Sequence, residues 1–139
     1  MLRGCIRRNL IFARTTSRYM VGGSFYVKER VTMIFYVNGN KWFLRFISPN
    51  NGNLRRSDGI YTLGVTDNEI KAIYIATGLS DAMLDKVLCH ELCHAYCFEY
   101  DLSMDIQTEE IVADFLATYG RSVIFSADEI LGRIGRVVA

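Results

Sequence analysis

Between Val31 and Ala76 the apolar residues alternate with polar ones or form short aromatic and branched runs, the two-residue period of extended chain. Val31 to Val37 and Lys41 to Ile47 flank Asn38-Gly39-Asn40, which predicts a hairpin. Ser48 to Asp58, with Pro49, Asn50, Asn51 and Gly52, reads as an exposed loop. Two further strands, Gly59 to Thr66 and Ile70 to Ala76, are joined by Asp67-Asn68-Glu69, so the pattern predicts an antiparallel meander of about four strands. After Ser80 the apolar period becomes helical. Ser80 is placed to cap a helix running toward Tyr100, Thr108 a second reaching Gly120, and Ser126-x-x-Glu129 forms a capping box for a short third. Strands first and helices after them make the fold class α+β. Trp42 and most Phe and Tyr residues are expected in the core.

The first helix is apolar nearly all round: Leu84, Leu88 and Leu92 lie on one side, and Cys89, Cys93 and Cys97 form a stripe largely opposite. Such a helix belongs between two layers. The thiols then read as small buried side chains in a reducing compartment, with Cys97 able to approach the side of His90. The four cysteines have no paired zinc-binding spacing, and Cys89 and Cys93 are one residue too far apart for haem attachment. No apolar run is long enough to span a membrane, so a cytoplasmic location is expected.

Half of the 139 residues are hydrophobic, enough for one core and not comfortably for two. Net charge is +1, but it is segregated. Residues 1–32 carry seven basic side chains and one acid, Glu29, against nine basic and fourteen acidic in the remainder. The division expected is therefore a basic extension, 1–32, and a domain, 33–139. The extension admits three readings: a transit-like segment, an arm for nucleic acid or a membrane surface, or translation from an overlong start with Met33 as the natural first residue. The third is preferred.

The chemistry is concentrated in His90-Glu91-Leu92-Cys93-His94, which uses both histidines of the chain. On a helix, four residues bring the two imidazoles to one face about 6 Å apart, where both can hold one metal ion. A catalytic zinc site needs a third protein ligand and an open position for water. Glu91, beside the ligands but free of the metal, is the candidate general base. The plainer reading is a packing helix that happens to carry these residues. No histidine remains for the third ligand. Cys97 and Tyr100 occupy the positions where an extended motif would place a glycine and a third histidine, so a metzincin is excluded. In Thr108 to Ala117 the residues Glu110, Ala113, Asp114 and Ala117 share a helical face. Glu110 there would complete the ligand set, and Asp114, one turn on, would accept the second ring proton of a ligating histidine. Glu109 is the second choice as ligand; both glutamates also suit the positive end of a helix.

A Glu-Leu pair between two histidines, followed about fifteen residues later by Glu-x-x-Ala-Asp-x-x-Ala, resembles the gluzincin-type zincins, especially the small ImmA/IrrE-like peptidases of phages and mobile elements. The likeness covers roughly residues 70–124. Val87 to Phe98 is also similar to SprT-like proteases, whose third histidine is missing here. The resemblance implies a zincin-like fold, zinc on His90, His94 and Glu110, Glu91 as base, Asp114 behind the ligands, and hydrolysis of a peptide bond in a protein substrate, in the ImmA case a repressor.

The expected activity is thus zinc-dependent peptide hydrolysis, with a protein or peptide as partner and neither membrane nor nucleic acid. The alternatives are a non-catalytic zinc module and a nucleic-acid-associated protein using the basic arm. The strand 70–76 would bind an extended peptide if it lies at the sheet edge, and has no free backbone if it is interior. Tyr96, Tyr100, Tyr119 and Arg121 are the candidates for stabilising an oxyanion.

Overall fold

A computed structural model describes residues 18–21, 24–27 and 32–138 of the chain. Most of the basic extension, and with it the three readings of that segment, lies outside the described residues. Within it, β1 (Arg18–Val21) and β2 (Ser24–Val27) pair as an antiparallel hairpin.

The main sheet has four strands: β3 (Thr32–Val37), β4 (Asn40–Ile47), β5 (Gly64–Asp67) and β6 (Ala72–Ala76). The Asn38-Gly39 turn joins β3 and β4 as its sequence predicts, both residues adopting positive φ, 49° and 79°. The predicted meander is corrected. The order is β3-β4-β6-β5, and β4 runs parallel to β6. The physical reason lies in the long excursion after β4, which is no mere exposed loop. A 3-10 turn at Gly52–Leu54 drops Leu54, fully buried, onto Ala72, Tyr74 and Ala76. The chain is thereby carried past one face of the sheet, enters β5 on the far side of β6, and returns through a tight turn to fill the gap. β6 is accordingly interior and buried along its whole length. The edge strand beside the helices is β5, which is also shorter than the predicted Gly59–Thr66.

The opposite face of the sheet presents Phe35, Val37, Trp42, Leu44, Phe46, Ile73 and Ile75 to α1 (Asp81–Glu99). Leu84, Leu88 and Leu92 of α1 pack against that face, while Cys93 and Cys97 turn away from it toward Ala113 of α2 (Ile106–Val138). The helix between two layers is as expected. Ser80 caps it, its hydroxyl accepting from the Met83 amide at 3.3 Å.

Three expectations for the helices need correction. Asp105, not Thr108, caps α2: its carboxylate accepts from the Thr108 amide at 3.0 Å and from the Thr108 hydroxyl at 2.6 Å. These bonds hold the Asp105 carboxyl below its ordinary pKa. The separate third helix does not exist, since α2 continues through Gly120, Ser126 and Glu129 to Val138 with no proline to stop it. Aromatic residues are also less buried than expected: Trp42, Phe35, Phe46 and Tyr74 are core, but Phe98, Phe115, Phe125 and several tyrosines are exposed.

A polar tie joins the end of α1 to the sheet. The Glu99 carboxylate, only 4% exposed, accepts from Trp42 Nε1 and Lys71 Nζ, both at 2.7 Å, and from the Asn40 amide. Burial pushes this carboxyl up, but the hydrogen bonds from Lys71, Asn40 and Trp42 outweigh it and leave the pKa below its usual value. No helix among the described residues is long and apolar enough to cross a membrane.

Candidate metal centre

α1 and the first half of α2 run antiparallel side by side, joined by the pairs His94–Glu109, His90–Asp114 and Asp85–Arg121. Ala113 is wholly buried against Cys93 and Cys97, and this close seat brings the acidic face of α2 over the two histidines. His90, His94 and Glu110 converge as a group able to hold a metal ion. The two Nε2 atoms are 3.1 Å apart; Glu110 oxygens lie 3.2 Å from that of His90 and 3.4 Å from that of His94. Ligand atoms bound tetrahedrally at ~2.0–2.1 Å to a divalent ion are about 3.3–3.4 Å from one another. The three side chains are close enough for small side-chain adjustments to bring them onto one ion, the two short Glu110 contacts being made by different oxygens of its carboxylate.

The ring nitrogens on the far side are committed as well. His90 Nδ1 meets Asp114 Oδ1 at 3.0 Å, and His94 Nδ1 meets Glu109 Oε1 at 2.6 Å. Such a carboxylate behind a ring nitrogen is the arrangement that orients a ligating imidazole with its Nε2 toward an ion. Asp114 therefore stands where the sequence placed it. Glu109, the second-choice ligand, instead holds the ring of His94 from behind, a role the sequence reading missed.

Glu91 is the buried acid of the site, 7% exposed, and does not join the ligand group. The edge strand β5 holds it. Thr66 Oγ1 lies 2.7 Å from Glu91 Oε2 and 3.0 Å from the Glu91 carbonyl, and can donate its proton to either. Burial raises the Glu91 pKa, opposed by the Thr66 hydrogen bond and by the two histidines. Gly64 is required on the same strand. A Cβ there would come within 2.8 Å of Glu91 Cγ and Oε1 and 2.7 Å of Val87 Cγ1. Neither Thr66 nor Gly64 could be found from spacing, because their relation to Glu91 exists only once β5 crosses α1.

A cleft of about 540 Å³ lies between β5, α1 and the first turns of α2. Thr62 to Thr66 form one wall, His90, Glu91 and His94 the floor, Glu109, Glu110 and Asp114 the other wall, with Arg56, Asn68 and Lys86 also lining it. The residues named as oxyanion candidates are elsewhere. Tyr96 stacks on Tyr100, Tyr119 packs against Phe115, and Arg121 pairs with Asp85 at 2.6 Å. Cys97 also stays away from the ligands. It sits beside Cys93, whose thiol is pushed up to about 12 by burial and by Cys97, so Cys93 serves as unreactive packing.

Comparison with known protein families, curated proteins and solved structures finds no match to this chain.

Proposed function

We propose that the chain is a zinc-dependent peptidase of the gluzincin type. The observation that carries this reading is the convergence of two imidazole Nε2 atoms and one carboxylate, with a separate buried carboxylate beside them in an open cleft. Two neutral imidazoles and a carboxylate are a donor set suited to zinc, and three protein ligands leave a place for water. When bound, the ion acts as a Lewis acid that acidifies water and polarises a substrate carbonyl.

The remaining chemistry belongs to the protein. Glu91 takes a proton from the attacking water as its oxygen bonds to the carbonyl carbon, then delivers that proton to the nitrogen as the C–N bond breaks. Thr66 aims the carboxylate, and burial makes it a better proton acceptor than an exposed glutamate. The outer edge of β5 provides the backbone donors and acceptors against which an extended peptide can align over the ligands. This favours an unfolded or loop segment of a protein as substrate; a regulatory protein of a phage or mobile element is the class implied by the sequence resemblance.

The test is a pair of variants assayed for metal content and for cleavage of a mixed peptide library. Glu91→Gln is expected to retain one equivalent of zinc and lose on the order of 10²-fold or more of the hydrolysis rate. Glu110→Ala is expected to lose both. A Glu91→Gln protein as active as its parent overturns the proposal.

A further inference from the structure

Charge is unevenly distributed along the cleft. β6 turns back into α1, and β5 is antiparallel to β6, so β5 and α1 run in roughly the same direction. Gly64 accordingly lies against Val87 and Glu91, and Thr66 meets Glu91. A short hairpin precedes β5: the Thr62 amide donates to the Leu54 carbonyl and the Arg56 amide to the Ile60 carbonyl, both at 2.8 Å. Arg56 therefore reaches the cleft from beyond the start of β5, and Lys86, one turn before His90, reaches it from the matching part of α1. The carboxylates of Glu109 and Glu110 stand toward the other end, beside His94.

Neither cation is committed elsewhere. Lys86 makes no ion pair among the described residues. Its neighbours one helical turn away, Ala82, Met83, Cys89 and His90, offer it no carboxylate. Arg56 approaches only Asp58, at 3.8 Å, too far for a hydrogen bond.

The backbone of β5 sets where a substrate's side chains fall. The Leu63 carbonyl accepts from the Ala76 amide at 2.9 Å, and Val65 and Asp67 continue that register opposite Tyr74 and Ala72. The amides and carbonyls of Gly64 and Thr66 consequently face the outer edge. The Gly64 carbonyl accepts the Thr62 hydroxyl at 2.7 Å and keeps a second lone pair. A peptide laid along this edge sends alternate side chains toward α1. Extended chain advances ~3.3 Å per residue and a helical turn ~5.4 Å, so side chains one to three residues from a bond held at the ligands come within reach of Lys86 and Arg56.

We infer that the cleft selects substrates carrying a carboxylate on the side of the cut bond nearer Arg56 and Lys86. The inference rests on the peptidase reading and adds to it which segments are taken. The two cations attract the carboxylate at one end while the acidic wall disfavours it at the other, so its position relative to the bond is fixed as well. An Asp or Glu side chain and a peptide C-terminus offer the same group, and amidated peptides separate the two sources.

The experiment identifies by mass spectrometry the products that the zinc-loaded chain makes from a mixed peptide library, with free and with amidated C-termini. The parent is expected to favour a carboxylate over its amide roughly three- to thirtyfold at one position within three residues of the cut bond, always on the same side, and less so at high salt. A preference kept by amidated peptides assigns the carboxylate to a side chain; one confined to free C-termini assigns it to the chain end. Arg56→Glu with Lys86→Glu is expected to hold the same zinc and to favour Lys or Arg at that position. Should the glutamates disturb folding, Arg56→Gln with Lys86→Gln is expected to lose the preference without reversing it. Arg133→Glu with Arg136→Glu, the same change of charge on an exposed part of α2 outside the cleft, is expected to keep the parent's preference. Cleavage without preference for a carboxylate, or a preference that both cleft variants leave unchanged, overturns this inference and leaves the peptidase reading standing. A zinc-loaded parent that cuts no peptide overturns both.

Discussion

At the scale of single residues, the proposed centre depends on side chains outside its ligand group. Glu109 and Asp114 orient the two imidazoles, so removing either charge loosens a ligand without deleting it. Glu109→Gln is expected to weaken metal affinity about 10- to 100-fold, read by competition with a chromogenic chelator, and an unchanged affinity would deny the carboxylate that role. Gly64 is constrained by space. Gly64→Ala forces a methyl group into Glu91 and Val87, so it is expected to cost roughly 1–3 kcal/mol in chemical denaturation and to lower any hydrolysis more than Gly39→Ala, at a turn glycine with open space around it. The histidines and Glu91 were readable because their relation is local: i, i+1 and i+4 on one helix need no tertiary information. Thr66 and Glu109 were not readable in their roles, since a threonine in a strand and an acid in a first helical turn each have commoner explanations.

At the scale of elements, the ends of α1 are fixed by different means. Its N-terminus relies on Ser80, and Ser80→Ala is expected to cost about 1 kcal/mol. Its C-terminus relies on Glu99, bound to Trp42 and Lys71. Because the Glu99 pKa is lowered in the folded protein, its charge stabilises the fold at pH values above the ordinary carboxylate value of 4.5, and that contribution is lost as pH falls through the lower folded value. Glu99→Gln should therefore be less stable than the parent at pH 7, and the gap should narrow as pH falls below the ordinary carboxylate value; a gap independent of pH would show that packing, not charge, makes the tie. The helix boundaries show how capping can mislead. Thr108 has the right chemistry for a cap and lies in the right turn, yet Asp105 reaches the same amide and binds the threonine hydroxyl too. Similarly, Ser126 and Glu129 satisfy the capping-box spacing, but a capping box starts a helix only where the preceding chain is not already helical.

At the scale of the whole molecule, the proposed site would couple metal binding to the fold. His90 and His94 belong to α1 and Glu110 to α2, so an ion bound there would hold the two helices together. Adding zinc at 100 times its dissociation constant is expected to stabilise the parent by about 2.7 kcal/mol, and Glu110→Ala should show little of this gain in thermal melts with and without chelator. The sheet also depends on a residue from outside its strands. Leu54 closes the face away from α1, and Leu54→Ala is expected to cost about 2–5 kcal/mol, where an exposed loop leucine would cost almost nothing.

What the amino-acid sequence determined by itself was local: the Asn38-Gly39 hairpin, the Ser80 cap, the helix with His90, Glu91 and His94 in register, and the α+β class. Each rests on contacts within a few residues, where backbone geometry leaves little choice. Tertiary structure decided the parallel pairing of β4 with β6, the edge position of β5, the burial of Leu54, and the division of labour between Glu109 and Glu110. Those depend on which distant surfaces meet, and one apolar pattern is compatible with several such meetings. The cleft belongs to this second group, since its walls come from a strand and a helix more than forty residues apart and become one site only when both pack against α1.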